Sequence, residues 1–218
     1  MKKQTKEPAK GYHHGDLRNA LLEAAVRHIE QAREVSFTLR ELAAALGVSS
    51  AAPFRHFPSK RALLAAIAQA GFRQLAETFV AIDAECSGDP VECFRRKGVA
   101  YVQFAVAHQP YFLAMYHPDL SDKRDFPELK AACDRAFASM RETVMACRQQ
   151  NLLHDFGVEN ITLTAWSAVH GLAALLIEGQ LAELGIDATE QAAIRAAEAV
   201  TMITGVGFLK PGLAKKKD

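Results

Sequence analysis

The sequence predicts an all-α chain in two parts: an N-terminal helix-turn-helix unit of three helices, and a larger helical body reached through one long helix. Three observations predict this. Apolar residues recur at three- and four-residue spacing along most of the chain. Gly and Pro cluster at the breaks between these stretches, and no run of β-branched residues suggests a sheet. The stretch from Thr38 to Phe57 reads as helix, tight turn, helix. With 218 residues, half of them hydrophobic, the chain is long enough for one ordinary domain or two small ones and carries enough apolar surface for a packed core.

Residues 1–12 read as a disordered basic arm, with Lys2, Lys3, Lys6 and Lys10, Pro8 and Gly11, and no apolar period. The first helix runs from Asp16 to Gln31 with Leu17, Leu21, Ala24, Ala25 and His28 on its buried face. Thr38, followed three residues later by Glu41, is a capping box that starts the second helix. Leu39, Leu42, Ala43 and Leu46 form its apolar stripe, and Gly47 stops it. Val48 plugs the angle, Ser49 caps the third helix, and Pro53 lies in that helix's first turn, where a missing N–H costs little. Such a unit can place its second helix in the DNA major groove, and a plain helical hairpin is the alternative. Ser59 then caps a long helix from Lys60 to Ala84. A cation in a helix's first turn is disfavoured by the dipole, so Lys60 calls for a compensating anion such as a DNA phosphate. The helix is long enough to leave the N-terminal domain, residues 13–75, and enter the body, residues 76–210.

After the break at Ser87-Gly88, Asp89-Pro90-Val91-Glu92 is a strong helix start, and the fifth helix reaches His108. A short sixth helix ends at Met115, and residues 117–126 form a polar loop. Pro127-Glu128 opens the seventh helix, which ends near Gln150. The eighth runs from Glu159 to Leu184, between Gly157 and Gly185. Asp187-Ala188-Thr189-Glu190 caps the ninth, which runs to Gly207, and residues 211–218 form a frayed basic tail. Leu163, Ala168, Leu172, Leu175, Leu176, Ala192, Ala196, Val200 and Ile203 on the eighth and ninth helices exceed what one face of a monomer buries. A four-helix bundle made by these two helices from two subunits buries the excess.

Residues 1–75 carry 12 Lys/Arg against 6 Asp/Glu, residues 76–209 carry 10 against 18, and residues 210–218 carry 4 against 1, within a net charge of +1. A basic front on an acidic body fits one part that meets phosphate and one that does not. No stretch approaches the ~18 uninterrupted apolar residues of a membrane span, and no apolar run follows the basic N-terminus as in a signal peptide. The expectation is a cytoplasmic protein without a membrane partner. Cys86, Cys93, Cys133 and Cys147 form no CxxC pair and lack zinc-ligand spacing, so reduced, partly buried thiols are expected. Adjacent His13 and His14 do not readily share one metal site. With no Gly-rich phosphate loop, catalytic Ser-His-Asp or Cys-His order, or paired carboxylates, the expectation is no enzyme, no cofactor and no metal.

The run from Asp16 to Leu75 resembles the DNA-binding domain of the TetR (tetracycline-repressor) family of bacterial transcription regulators. The residues that carry the resemblance are Thr38, Glu41, Leu42 and Ala43 in one helix and Leu46-Gly47-Val48-Ser49 at the turn. Phe54-Arg55-His56-Phe57, Ser59-Lys60 and Leu63-Leu64 continue it, and Tyr12-His13-His14-Gly15-Asp16-Leu17 is similar to the lead-in of one subset. It implies that Thr38, Arg40, Ser49, Ser50, Ala51, Ala52, Phe54, Arg55, His56 and Lys60 face DNA, that the chain is a homodimer, and that the operator is palindromic. Phe54 stands where many members have a tyrosine, and it cannot donate that phosphate contact. The short side chains of residues 49–52 include no bidentate base reader, which shifts specificity to Arg40, Arg55, the N-terminal arm and DNA shape.

Farther along, Trp166-Ser167-Ala168-Val169-His170-Gly171 resembles the W-x-x-x-H-G segment of one branch of the family. Trp166 and His170, four apart, share a helix face, and Gly171 reads as a notch for another helix. The resemblance implies a small apolar effector in the body. Tyr101, Phe104, Met115, Tyr116, Phe137, Met140, Trp166 and His170 are the candidate pocket, although aromatic stripes at this spacing also make plain core. The function expected is a dimeric, sequence-specific DNA-binding transcriptional regulator, a repressor released by a small molecule. The alternative is a helical small-molecule-binding protein with weak or lost DNA recognition.

Overall fold

A computed structural model describes residues 16–86 and 88–211. The basic arm, His13 and His14, Ser87 and all but the first residue of the basic tail lie outside them. The helices are α1 (Leu17–Ala32), α2 (Leu39–Ala45), α3 (Lys60–Glu85), α4 (Pro90–Ala107), α5 (Gln109–Met115), α6 (Pro127–Gln149), α7 (Val158–Ile177) and α8 (Glu190–Phe208). The chain divides into two compact units, Met1–Leu64 and Ala65–Asp218, and α3 runs unbroken through the division.

In the first unit, Asp16 caps α1 by accepting the Asn19 N–H at 3.2 Å. The face of α1 is rotated from the expected one. Leu21, Ala24, Ala25 and Ile29 are buried, while Leu17 and His28 are half-buried. Ile29 takes the inward place, and His28 lies 3.3 Å from the Ser36 hydroxyl with its ring edge-on to Phe37. The Thr38–Glu41 capping box forms: Thr38 Oγ1 accepts the Glu41 N–H at 3.2 Å, and Glu41 Oε2 accepts the Thr38 N–H at 2.7 Å. Gly47 has φ +67°, the left-handed conformation a tight turn requires.

The third helix departs from expectation. It is one 3₁₀ turn, Ala52–Arg55, and Ser49 does not cap it through its side chain. Pro53 explains this. It has no N–H to offer the Ser49 carbonyl, which instead accepts the Ala52 N–H at 3.0 Å, three residues on, and the turn tightens.

The second unit is organised on α4, which packs against α5, α6, α7 and α8. Asp89 caps it, accepting the Glu92 N–H at 3.0 Å, with Pro90 in its first turn. A Cβ at Gly98 would fall 2.5 Å from Thr201 Cγ2, so this glycine is where α8 lies on the α4 backbone. A Cβ at Gly171, by contrast, would meet nothing within 4 Å, so Gly171 is not a packing notch within the chain. The polar loop contains a 3₁₀ turn, Pro118–Leu120, anchored by the fully buried Leu120. α7 stops at Ile177 rather than Leu184, because Gly179 takes φ +71° and ends it. A separate 3₁₀ turn covers Ala182–Leu184. Asp187 accepts from Thr189 and does not cap α8.

By length and composition α7 is long and apolar enough to cross a membrane, although Glu159, Asn160 and His170 interrupt its apolar run. Here it packs against α4, α6 and α8.

The end of α3 is joined to α4 at three levels. Cys86 and Cys93 form a disulfide, Arg96 pairs with Glu85, and Lys97 Nζ pairs with Asp83 at 2.7 Å. The disulfide corrects the expectation of four reduced thiols. The turn between the helices folds positions seven apart to a Cα separation of 5.5 Å, which spacing in the sequence does not reveal. Cys133 and Cys147 remain free, and burial pushes both thiols up, Cys147 to about 11. Replacing both Cys86 and Cys93 by alanine is expected to lower stability by about 2 kcal/mol, the scale for so short a loop. Thermal melts with and without dithiothreitol check this: the native chain shifts with reductant and the double variant does not.

Candidate nucleic-acid interface and ligand site

In the first unit the segment from the capping box through the turn at Gly47 exposes most of the predicted DNA-facing residues. Thr38, Arg40, Ser49, Ser50, Ala51, Arg55 and His56 are exposed, and Phe54 is 47% exposed, a large apolar side chain held in solvent. Ala52 is half-buried behind them, and the buried Pro53 and Phe57 anchor the turn. Arg18 lies 5.2 Å over the Phe57 ring, adding a cation–π contact from α1.

Lys60 differs from its sequence reading. Its Nζ donates to the Val35 carbonyl at 2.8 Å and sits 5.2 Å over the Phe37 ring. The cation in the first turn of α3 therefore finds compensation inside the chain. It also lies near Glu41, whose carboxyl is held below its ordinary value chiefly by hydrogen bonds from Thr38, with smaller help from His28 and Lys60.

In the second unit four helical segments bring the predicted aromatic residues together. Tyr101 on α4 is hydrogen-bonded to Tyr116 (2.9 Å) and to Nδ1 of His170 on α7 (2.8 Å). The Tyr116 and His170 rings are 4.4 Å apart, Trp166 and His170 5.6 Å, and Phe137 and Trp166 4.9 Å. Phe112, not in the expected set, stacks on Tyr116 and His170. It lies one turn before Tyr116, a spacing that would have found it. Phe72 of α3 meets Tyr116 edge-on at 5.9 Å. Phe104 and Met115 are buried, but Phe104 stacks on His108 instead of joining these rings.

Met140 lies apart from the cluster, beside a crevice of about 10 Å³ lined also by Phe94, Gly98, Ala165, Val169, Thr201 and Thr204. A larger surface groove of about 530 Å³ runs between the end of α6 and the start of α7, at Arg141, Arg148 and Glu159, and none of the eight expected pocket residues lines it.

Burial pushes Tyr116 up to about 12 and Tyr101 well above its ordinary value, and it lowers His170. All three are therefore neutral at pH 7. Because the folded chain disfavours imidazolium at His170, its contribution to stability is present above the unfolded value of 6.5 and is lost as pH falls below it. Melts across that window should fall with pH in the native chain and flatten in His170→Asn.

The N-terminal residues 21–67 match the signature "Bacterial regulatory proteins, tetR family", and residues 94–200 match "Tetracyclin repressor-like, C-terminal domain". The chain belongs to the TetR family. It is a DNA-binding transcriptional regulator whose C-terminal domain binds ligand. No curated protein matches it significantly.

Solved structures share the fold of this TetR-family chain. A protein of unknown function from Rhodococcus sp. RHA1 is 28% identical over 88% of this chain and 97% of its own, with a TM-score of 0.71. The TetR family transcriptional regulator PfmR from Thermus thermophilus is 21% identical over 83% and 96%, with a TM-score of 0.65. A tetR-family regulatory protein from Rhodococcus RHA1 is 18% identical over 85% and 95%, with a TM-score of 0.68.

The TetR-family chain exposes a second surface, on α7 and α8. Leu163, Leu175, Met202, Ile203 and Val206 are exposed large apolar side chains. This corrects the composition expected for that face. Leu172, Leu176 and Ala192 are buried inside the chain, and Ala168, Ala196 and Val200 are half-buried.

Proposed function

We propose that this chain is a cytoplasmic homodimer that represses transcription from a palindromic operator and is released from it by a small, largely apolar effector. The observation that carries the reading is the pairing of two exposed surfaces on one chain. One is the polar face around Arg40, Arg55 and His56, and the other is the apolar face of α7 and α8. A face with five large apolar side chains in solvent fits a partner of the same kind, giving a bundle of α7 and α8 from two subunits. Two linked half-sites then gain affinity by effective concentration.

The DNA contacts in this reading are Thr38, Arg40, Ser49, Ser50, Ala51, Phe54, Arg55 and His56, with Ala52 and Lys60 behind them. Arg55 is the main cation because Lys60 is already engaged by Val35. The effector site is the cluster of Tyr101, Phe112, Tyr116, Phe137, Trp166 and His170, in the branch of the family that carries W-x-x-x-H-G. Phe72 links this cluster to α3, whose first turn belongs to the DNA-binding unit. A ligand that prefers one placement of Tyr116 shifts the population of α3 positions and so the spacing of the two reading surfaces. No catalytic step is assigned.

A mobility shift on the DNA flanking the chain's own gene tests the reading. Arg55→Ala should weaken binding by about 1–3 kcal/mol per half-site and lower the salt slope. Absence of any shift, with the chain dimeric and folded, would favour a small-molecule-binding protein without DNA recognition.

A further inference from the structure

The Trp166 indole carries an unpartnered donor. Its Nε1 is fully buried and has no hydrogen-bond partner among the described residues. It points toward the Tyr101 and Tyr116 oxygens, and hydrogen bonding from the indole opposes the upward pull of burial on both, but neither approach has the geometry of a closed hydrogen bond. Buried donors without partners are rare, because each forfeits the hydration it had in the unfolded chain.

Counting protons sharpens the point. With Tyr101 donating to Tyr116, the single hydroxyl proton of Tyr101 is used, so His170 must donate Nδ1–H to Tyr101. The Tyr116 proton then faces no acceptor, and the cluster holds two unused donors. With the chain reversed, Tyr116 donates to Tyr101 and Tyr101 to His170, and the indole N–H alone is left. In the first arrangement two donors stand without an acceptor; in the second only the indole does, and the Tyr116 oxygen keeps its lone pairs free.

The surroundings limit what can supply it. The walls are the rings of Phe112, Phe137, Tyr116 and His170, packed at 4.4 to 5.5 Å from one another or from Trp166. The polar members are neutral at pH 7. A carboxylate here would be desolvated with no cation beside it, which is strongly unfavourable. Tyr101 and the indole nitrogen are sealed, whereas the Tyr116, Phe137, Trp166 and His170 side chains as a whole are half-buried and the space beside Gly171 is open.

We propose that this cluster is the polar anchor of the effector site and selects a neutral, apolar molecule carrying a carbonyl oxygen, which accepts from Trp166 Nε1 and the Tyr116 hydroxyl. A carbonyl has two lone pairs and no proton of its own, which matches the two unused donors of the arrangement in which Tyr101 donates to Tyr116. The inference rests on the reading of this cluster as the effector site.

Trp166 is the single tryptophan of the chain, so its fluorescence reports the site directly in the full-length protein. Three matched probes are butyrophenone, butylbenzene and 4-phenylbutanoate: a ketone, its hydrocarbon and a carboxylate of similar size. The expected result is saturable change with butyrophenone, at least tenfold tighter binding than butylbenzene, and no binding of 4-phenylbutanoate. Tyr116→Phe should bring the ketone down toward butylbenzene while leaving butylbenzene unchanged. Trp166→Phe, followed by calorimetry, should do the same. Equal affinity for ketone and hydrocarbon, preference for the carboxylate, or no binding of any probe up to its solubility overturns the proposal. Mobility shifts on the same samples separate this from the wider reading. Retained DNA binding with no ketone preference discards the carbonyl anchor alone, whereas loss of both ligand and DNA binding discards the regulator as proposed.

Discussion

In the proposed dimer of α7 and α8, Ile203→Arg is expected to give a monomer and to remove tight operator binding. Ile203 is 68% exposed in the single chain, so arginine there leaves the fold of the subunit intact. In a twofold bundle of α7 and α8 the same substitution occurs on both sides of the interface. Each guanidinium is desolvated against the apolar side chains of the partner helices. At about 2 kcal/mol for each truncated or mismatched central contact, the pair weakens association by about 4 kcal/mol, roughly a thousandfold. Sedimentation at micromolar concentration should show the native dimer and a monomeric variant with an unchanged circular dichroism spectrum. A native protein that sediments as a monomer would sink the dimer reading. A variant that stays dimeric would move the interface elsewhere.

Asp83→Ala is expected to be the most destabilising single change in the second unit. Lys97 is completely buried, and its ammonium is held by Asp83 Oδ2 (2.7 Å), Ser139 Oγ (2.8 Å), the Ser139 carbonyl (3.0 Å) and Thr143 Oγ1 (2.7 Å). The ammonium has three protons for these four acceptors, so one proton is shared between two of them. Ser139 donates onward to Asp83 and Thr143 to the Ser139 carbonyl, which frees both hydroxyl oxygens to accept from Lys97. Desolvation wins over Asp83 and lowers the Lys97 pKa, so the site already favours the neutral amine more than water does. Removing the carboxylate strands a buried charge, at a cost of about 3–5 kcal/mol.

Lys97→Met makes the complementary test. It removes the ion altogether, leaves Asp83 at 43% exposure to be hydrated, and keeps the Ser139 and Thr143 bonds. Its cost should be less than half as large. Urea unfolding of the two variants decides the matter, and an Asp83→Ala protein as stable as Lys97→Met would mean that the serine and threonine suffice to hold the ammonium.

What could be read from the sequence was local. The Thr38–Glu41 box, the left-handed Gly47, the Asp89-Pro90 start and the breaks at Pro127 and Gly157 each depend on a few neighbouring residues and on backbone geometry. All appear where the sequence placed them. Local signals also failed where two competed. Pro53 promised a helix start yet removed the N–H that an α-helical turn needs, and a 3₁₀ turn resulted. Gly179 ended α7 before the stronger-looking Gly185, because the chain needs only one left-handed residue to leave the helix.

The site was partly legible for the same reason. Trp166 and His170 share a face by spacing alone, but their meeting with Tyr101 and Tyr116 required α4 and the end of α5 to pack on α7. Lys97 stands beside Arg95 and Arg96 and reads as a solvated charge. Only the packing of α3 and α6 over α4 buries it against Asp83, Ser139 and Thr143, positions 14 to 46 residues away. The Cys86–Cys93 bond likewise depends on how sharply the chain turns between α3 and α4. Helical periodicity and caps are set by interactions within a few residues, so the sequence by itself determined the all-helical fold and the helix-turn-helix. Charge pairing, disulfide pairing and the orphaned indole donor arise from contacts between distant segments, and only the tertiary structure decided them.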